Sequence, residues 1–310
     1  MADVSQSRRS LLAAASLLGL VGTAKSAVSV TRPMPAARHL DLETPWDNLT
    51  AYLKTRSDIS GKPSLSWTSG HIYSHIAGQP ARRLLLGQGV KCTRCIRTAT
   101  GYKFLERECV IFSDPDTAEP LQTWRNPFTG HVVEVFHIRN LSAGSLLSAA
   151  GPDKAFHMPY MEHSGDVTFY DDLFYSKPSS LNVFGYSAYV GSSLYEGAGL
   201  YHFHTKSADL DNPDLSSVPA TTSHTGLRQW LPWMEMGAWS GGLVLPSHGK
   251  KLPNGVADLP QPLRGWLEKN SPEFLDAPTL ADQANNQKRF YDQFRDYIDR
   301  KRAAESDKPQ

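Results

Sequence analysis

The sequence predicts a mainly β protein, an antiparallel β-barrel or sandwich with flanking N- and C-terminal helices. Three observations carry this expectation. From Gly61-Lys62-Pro63 to about residue 140, apolar and polar residues alternate with a period of two. Turn compositions separate the alternating runs at Thr98–Gly101, Asp114–Thr117 and Asn126–Gly130. Nowhere does a strand-like run alternate with a helical one, as a parallel sheet would require.

In chain order, residues 1–27 read as an export leader. Arg8-Arg9 precedes the apolar run Leu11–Val21, and Ala24-Lys25-Ser26-Ala27 supplies small residues for cleavage. The paired arginines followed by Leu11-Leu12 point to the twin-arginine (Tat) translocase as a transient partner. The run is too short to span a bilayer, which needs about 20 apolar residues. The expected location is therefore periplasmic or secreted, with no stable membrane span after cleavage. The formal charge is +1. Removing Arg8, Arg9, Lys25 and Asp3 takes away two net positive charges and leaves about −1. A chain without basic excess is poorly suited to nucleic acid.

Residues 28–43 form a linker, and residues 44–255 a single β-rich domain with an N-terminal helix. Thr44-Pro45-Trp46-Asp47 is a helix start, with Thr44 as N-cap and Pro45 at the first helical position. Trp46, Leu49, Tyr52 and Leu53 share one face of that helix. Strands follow around Val90–Arg97 and Tyr102–Phe112, and on Val132–Arg139. Residues 141–165 read as a long connection. Strand-like segments return at Val167–Tyr175, Gly199–Thr205 and around Trp230–Trp239. Residues 256–310 are a Pro-rich segment closed by an amphipathic helix. Its stripe is Phe290, Tyr291, Phe294, Tyr297 and Ile298.

Trp230-Leu231-Pro232-Trp233-Met234-Glu235-Met236-Gly237 is the most distinctive segment. Pro232 interrupts any strand there. The two Trp and two Met offer broad, adaptable apolar surface, which suits either a ligand wall or a plug at one end of a barrel. Tyr195 and Trp124 are expected near the mouth of such a lumen. His202 and His204 stand two apart, so on a strand they share a face, a recurring way to begin a metal site. Glu196 is a candidate third ligand, with Glu134 and His137 as others. A hydrogen-bonded strand face explains the same pair without a metal.

His71, Tyr73 and His75 also share a face, either solvent-exposed or lining a polar lumen with Ile72 and Ile76 turned outward. Glu106 and Glu108 share a face, for which cross-strand ion pairs with Arg94 and Arg97 are the expected reason. A carboxylate acid/base pair is the alternative. A turn at Thr100-Gly101 would set Cys92 opposite Cys109 and permit a disulfide, leaving Cys95 free. No P-loop, dinucleotide fingerprint, nucleophile elbow or HExxH sequence occurs.

Several segments together resemble an uncharacterised family of bacterial and fungal exported proteins, domain of unknown function 1838. They are Asp47-Asn48-Leu49, Glu106-Arg107-Glu108, Asp114–Thr117, Trp124–Gly130 and Trp230–Gly237. The resemblance covers most of the chain after the leader and implies export and a β-rich fold, with no activity or catalytic residues attached. After Asn140 the chain departs from the family pattern: Leu141-Ser142 stands where an acidic residue and a proline are expected. The functional expectation is a lipocalin-like barrel that binds a small apolar molecule. Trp230, Trp233, Met234, Met236, Tyr195 and Trp124 would then be ligand-binding, with cofactors unknown. The alternative is an enzyme in the same barrel, metal-dependent through His202, His204 and Glu196, or a metal-free hydratase, isomerase or hydrolase.

Overall fold

A computed structural model describes residues 39–151, 155–178, 194–237, 239–285 and 290–306. All of them belong to one unit, Ala36–Gln310. The export leader lies outside the described residues. Helix α1 (Pro45–Arg56) starts as its residues dictate, with Pro45 in the first turn and Thr44 as N-cap. The Thr44 hydroxyl donates to the Asp41 carbonyl, while the Asp47 carboxylate accepts the Asp41 N–H. Asn48 fastens the helix to a distant segment: its amide donates to the carbonyls of Leu42 and Met158 and accepts the Met158 N–H.

The strands are β1 (Ser64–His75), β2 (Arg83–Arg97), β3 (Gly101–Ser113), β4 (Thr123–Arg125), β5 (Val132–Glu134), β6 (Ile138–Ser148), β7 (Tyr160–His163), β8 (Asp166–Pro178), β9 (Leu194–Lys206), β10 (Thr221–Gln229) and β11 (Gly242–Lys251). Nine of them form one antiparallel sheet in the order β6-β3-β2-β1-β11-β10-β9-β8-β7, while β4 and β5 pair separately. Helix α2 (Ser207–Asp211) follows β9. After β11 come α3 (Gln261–Asn270), α4 (Leu280–Asn285) and α5 (Phe290–Ser306).

The sheet is strongly curled. Lys91 of β2 lies 5.4 Å from the ring centre of Tyr201 on β9, four inter-strand steps away. In a flat sheet that separation is roughly 19 Å. Arg56 at the end of α1 reaches both Glu106 on β3 (3.0 Å) and Asp171 on β8 (3.3 Å). Those two strands stand six steps apart, roughly 29 Å if the sheet were flat. Helix α1 therefore sits in the trough, with Leu49, Tyr52 and Leu53 buried among Tyr102, Phe104, Phe169 and Phe203. Burying each such side chain contributes about 1.5–3 kcal/mol.

The other end of the trough is filled by Ile72, Leu85, Phe112, Trp124 and the Trp230–Met236 segment. A third cluster lies on the convex face, where α3 and the turn at Pro272–Leu275 cover Val90, Cys92, Cys109 and Ile111. Residues alternate along β2 and β3, so Lys91, Glu106 and Glu108 fall on the concave face between the two apolar ends.

Several expectations need correction. The fold is mainly β and antiparallel, but no closed barrel is found among the described residues, and one continuous sheet replaces the two layers of a sandwich. Much of 141–165 is strand, because the eleven-residue β6 pairs with β3 at nine positions and β7 follows it. The Trp230 segment is no strand: Pro232 opens a short 3-10 turn, and Glu235 and Gly237 both adopt positive φ. Cys92 pairs in register with Arg107, and Cys109 with Val90, because the hairpin closes on Arg97 and Tyr102. All three cysteines are buried and free. Ile72 is the inward residue of its strand, so His71, Tyr73 and His75 face outward.

Candidate functional site

The centre of the concave face is charged. Lys91 stands 3.3 Å from Glu106 and 3.5 Å from Glu108, the residue directly opposite it in register. Glu106 also holds Arg56, whose guanidinium bonds the Tyr52 hydroxyl (2.6 Å). Tyr52 in turn donates to Asp171 at 2.7 Å. Asn140 of β6 donates to Glu108 at 3.3 Å and accepts the Phe290 N–H at 3.4 Å, which ties the start of α5 to the cluster. Between Glu106 and Glu108 the pairing of β3 with β6 slips register. A bulge of this kind re-aims side chains and is common beside functional sites.

Although enclosed by strands, these groups are not sealed. The side chains of Lys91, Glu106 and Glu108 keep 20%, 23% and 26% of their surface accessible. Solvent therefore still reaches part of each side chain.

Electrostatics in the trough follow from burial and charge. Burial pushes the Glu106 carboxyl upward, but Lys91 and Arg56 outweigh it and hold the group below its ordinary value. Burial works against the charge on Lys91, and Glu106 and Glu108 overcome it, so the ammonium is held more firmly than usual. Tyr201 is raised, first by burial and then by Glu108.

Its ring stacks on His224, with centroids 4.2 Å apart. His224 is pulled down to about 3 by burial and by Arg228 and Lys91, so its imidazole is neutral. Its Nδ1 lies 3.0 Å from the Ser247 hydroxyl. Its Nε2 is buried and has no hydrogen-bond partner among the described residues. That nitrogen faces paired glycines. A Cβ on Gly226 would lie 3.4 Å from it, 3.2 Å from Cε1 and 3.4 Å from Arg228 Nη2, so even a methyl group there would crowd both side chains.

Trp124, Trp230, Trp233, Met234 and Met236 do come together, as expected, but as packed core. Trp233 meets Trp124 and Phe112 at 5.8 and 5.3 Å, and all five side chains are buried. They plug one end of the trough. Tyr195 is apart from them and stacks on Tyr175 at 5.1 Å.

His202 and His204 share a face, the convex one, each with its own partners. His202 pairs with Asp172 at 3.3 Å; His204 bonds Thr168 at 2.9 Å and Ser223 at 3.3 Å. Glu196 bonds Ser176 and sits six residues from His202 along one strand. That is roughly 20 Å, too far to share an ion. Among the described residues no group of three His, Cys, Asp or Glu side chains gathers as a metal site needs. Glu134 accepts from Tyr297, and His137 Nδ1 accepts the Phe112 N–H.

A groove of about 1230 Å³ lies elsewhere, lined by Asp58, His204, Lys206 and Lys251 among others. Two of its cations are engaged, Lys206 with Asp166 and Lys251 with the carbonyls of Lys54 and Ser57. The trough instead gathers opposed charges, an aromatic stack and a buried histidine between two apolar ends, and is the candidate developed below.

Glu106 and Glu108 share a face as expected, but their partners are Lys91 and Arg56. Arg94 points to the convex side, where it donates to the Gly61 carbonyl, and Arg97 lies over Trp46. A sequence signal for Lys91 existed, a lone charge between Val90 and Cys92, but the register that sets it opposite Glu108 is seen only in the folded hairpin. None marked Arg56, Tyr201 or His224, because only the curl of the sheet brings them in.

A family model described as a protein of unknown function (DUF1838) matches residues 61–297, more than half of the chain. No curated protein matches the chain.

Proposed function

The chain belongs to the DUF1838 family, and for it we propose the binding of a small, largely apolar molecule in the trough, held there by a polar head group. One observation carries this reading: a charged cluster on the concave face, between two apolar ends, whose side chains keep a fifth to a quarter of their surface accessible. Stability alone is a poor reason for such a cluster. Replacing buried ion pairs with well-packed apolar residues is often neutral or stabilising by about 1–4 kcal/mol. The unpartnered Nε2 of His224 adds to the argument, since a buried orphan nitrogen costs about 1–3 kcal/mol unless something meets it.

Native mass spectrometry of the full chain from its own producing cells tests the reading. An organic mass retained by the wild type and lost in Gly226→Ala, which crowds His224, is the expected result. A clean apo mass for both proteins would count against it.

A second reading, a metal-free proton-transfer enzyme acting on the bound molecule, is favoured by the unlike settings of the two carboxylates. Glu106 is matched by two cations, and Glu108 by one cation and an amide. It predicts deuterium uptake from heavy water into the bound molecule, abolished in Glu108→Gln. Retention of the molecule without any exchange would leave binding alone.

Export is the third part of the proposal, resting on Arg8-Arg9 and the apolar run after it. No described helix is long and apolar enough to cross a membrane. Replacing both arginines by lysine is expected to hold the precursor in the cytoplasm. Unchanged export of that variant would remove the twin-arginine reading.

A further inference from the structure

We propose that the trough selects an alcohol, and specifically one on a flat aromatic body, over the carboxylate of the same shape. The inference deepens the binding reading above and rests on it. It follows from which atoms of the cluster still have hydrogen-bonding capacity.

The cations Arg56 and Lys91 are already matched in charge by carboxylates: Arg56 lies 3.0 Å from Glu106 and 3.3 Å from Asp171, and Lys91 stands 3.3 Å from Glu106 and 3.5 Å from Glu108. Glu108 is different. An ionised carboxylate offers about four acceptor positions, and its contacts with Lys91 (3.5 Å) and Asn140 (3.3 Å) both lie beyond the usual hydrogen-bond distance. It is also the most accessible of the three charged groups, at 26%.

Lys91, 3.5 Å from Glu108, also lies 5.4 Å from the centre of the Tyr201 ring, so Tyr201 stands across the trough from Glu108, and its hydroxyl makes no hydrogen bond among the described residues. The space between thus presents an acceptor and a donor. A hydroxyl satisfies both at once, donating to Glu108 and accepting from Tyr201. A carboxylate can only accept, so it would face Glu108 as a like charge. The stacked rings of Tyr201 and His224 supply a flat wall for the body of the ligand, and the buried Nε2 of His224 is a further polar atom directed into the same face.

The test uses two probes that share one body, 2-naphthol and 2-naphthoate, titrated into the full chain at neutral pH by ligand-observed NMR. Saturable binding of 2-naphthol, with 2-naphthoate at least about tenfold weaker, is the expected result. Glu108→Gln should weaken 2-naphthol about tenfold, and Tyr201→Phe by a smaller factor, as expected for charged and neutral hydrogen bonds. Thermal melts establish that each variant is folded. Tyr201→Phe keeps the aromatic wall and serves if Glu108→Gln is not folded.

Equal or tighter binding of 2-naphthoate, lost in Gly226→Ala, would overturn the ligand class while leaving the trough as a binding site. Naphthol binding indifferent to both hydroxyl partners would also overturn it. Saturable binding of neither probe would overturn this inference and the binding reading together.

Discussion

Lys91 shows how a residue can carry a local signal in the sequence and still be passed over. Its register with Glu106 and Glu108 on the hairpin is a local matter, and the shared face of the two glutamates was legible. The arginines expected to pair with them were not the partners. Arg94 has the opposite parity and Arg97 lies toward the α1 end, whereas Lys91 stands directly across. His224 and Tyr201 carry no comparable signal, because their place beside Lys91 depends on strands far apart in the chain.

The histidines give a prediction at this scale. Burial, with Arg228 and Lys91, pulls His224 down to about 3; burial, with Arg139, does the same to His137. Below the ordinary 6.5 the unfolded chain takes up protons that the fold refuses. Their contribution is therefore intact above pH 6.5 and is lost as the pH falls from there toward 3. Each can contribute a slope of up to about 1.4 kcal/mol per pH unit. Urea unfolding between pH 7 and 4.5 should show stability falling on acidification, with a shallower slope in His224→Gln. A flat profile, or one unchanged in the variant, would contradict these assignments. Below about pH 4.5 Glu106 adds its own loss, since its carboxyl is held below its ordinary value by Lys91 and Arg56.

At the scale of elements, helix α1 and the Asn126–Gly130 turn were readable from capping and turn chemistry, which are local. The Trp230–Met236 segment was not, even though Pro232 flagged a break. Its path depends on a partner more than a hundred residues away in the chain. The buried Asn126 amide donates to the Met234 carbonyl at 2.8 Å, and its oxygen accepts the N–H groups of Phe128 (2.9 Å) and Thr129 (3.3 Å). One side chain thus shapes the turn and fastens it to the plug. Asn126→Leu leaves those backbone groups unpaired and is expected to cost about 3 kcal/mol in urea unfolding. Asn126→Asp, which keeps the acceptors, should cost less. Equal costs would show that the contact with Met234 dominates.

For the whole molecule, composition and period pointed to the mainly β, antiparallel character, while the barrel or sandwich is not confirmed among the described residues. Period two says that strands have two faces; it is silent on how far a sheet curls or whether its edges meet. The curl is nevertheless the feature on which the functional reading depends, because it places the β2–β3 charges against β9 and β10, between two apolar ends. The measurement that tests this most directly is a crystal structure of the full chain taken from its own producing cells with no ligand added. The account predicts density for an organic molecule in the trough, within hydrogen-bond reach of Glu108 and the Tyr201 hydroxyl. A trough filled by the protein's own side chains, with bound density only in the groove beside His204 and Lys251, would contradict it.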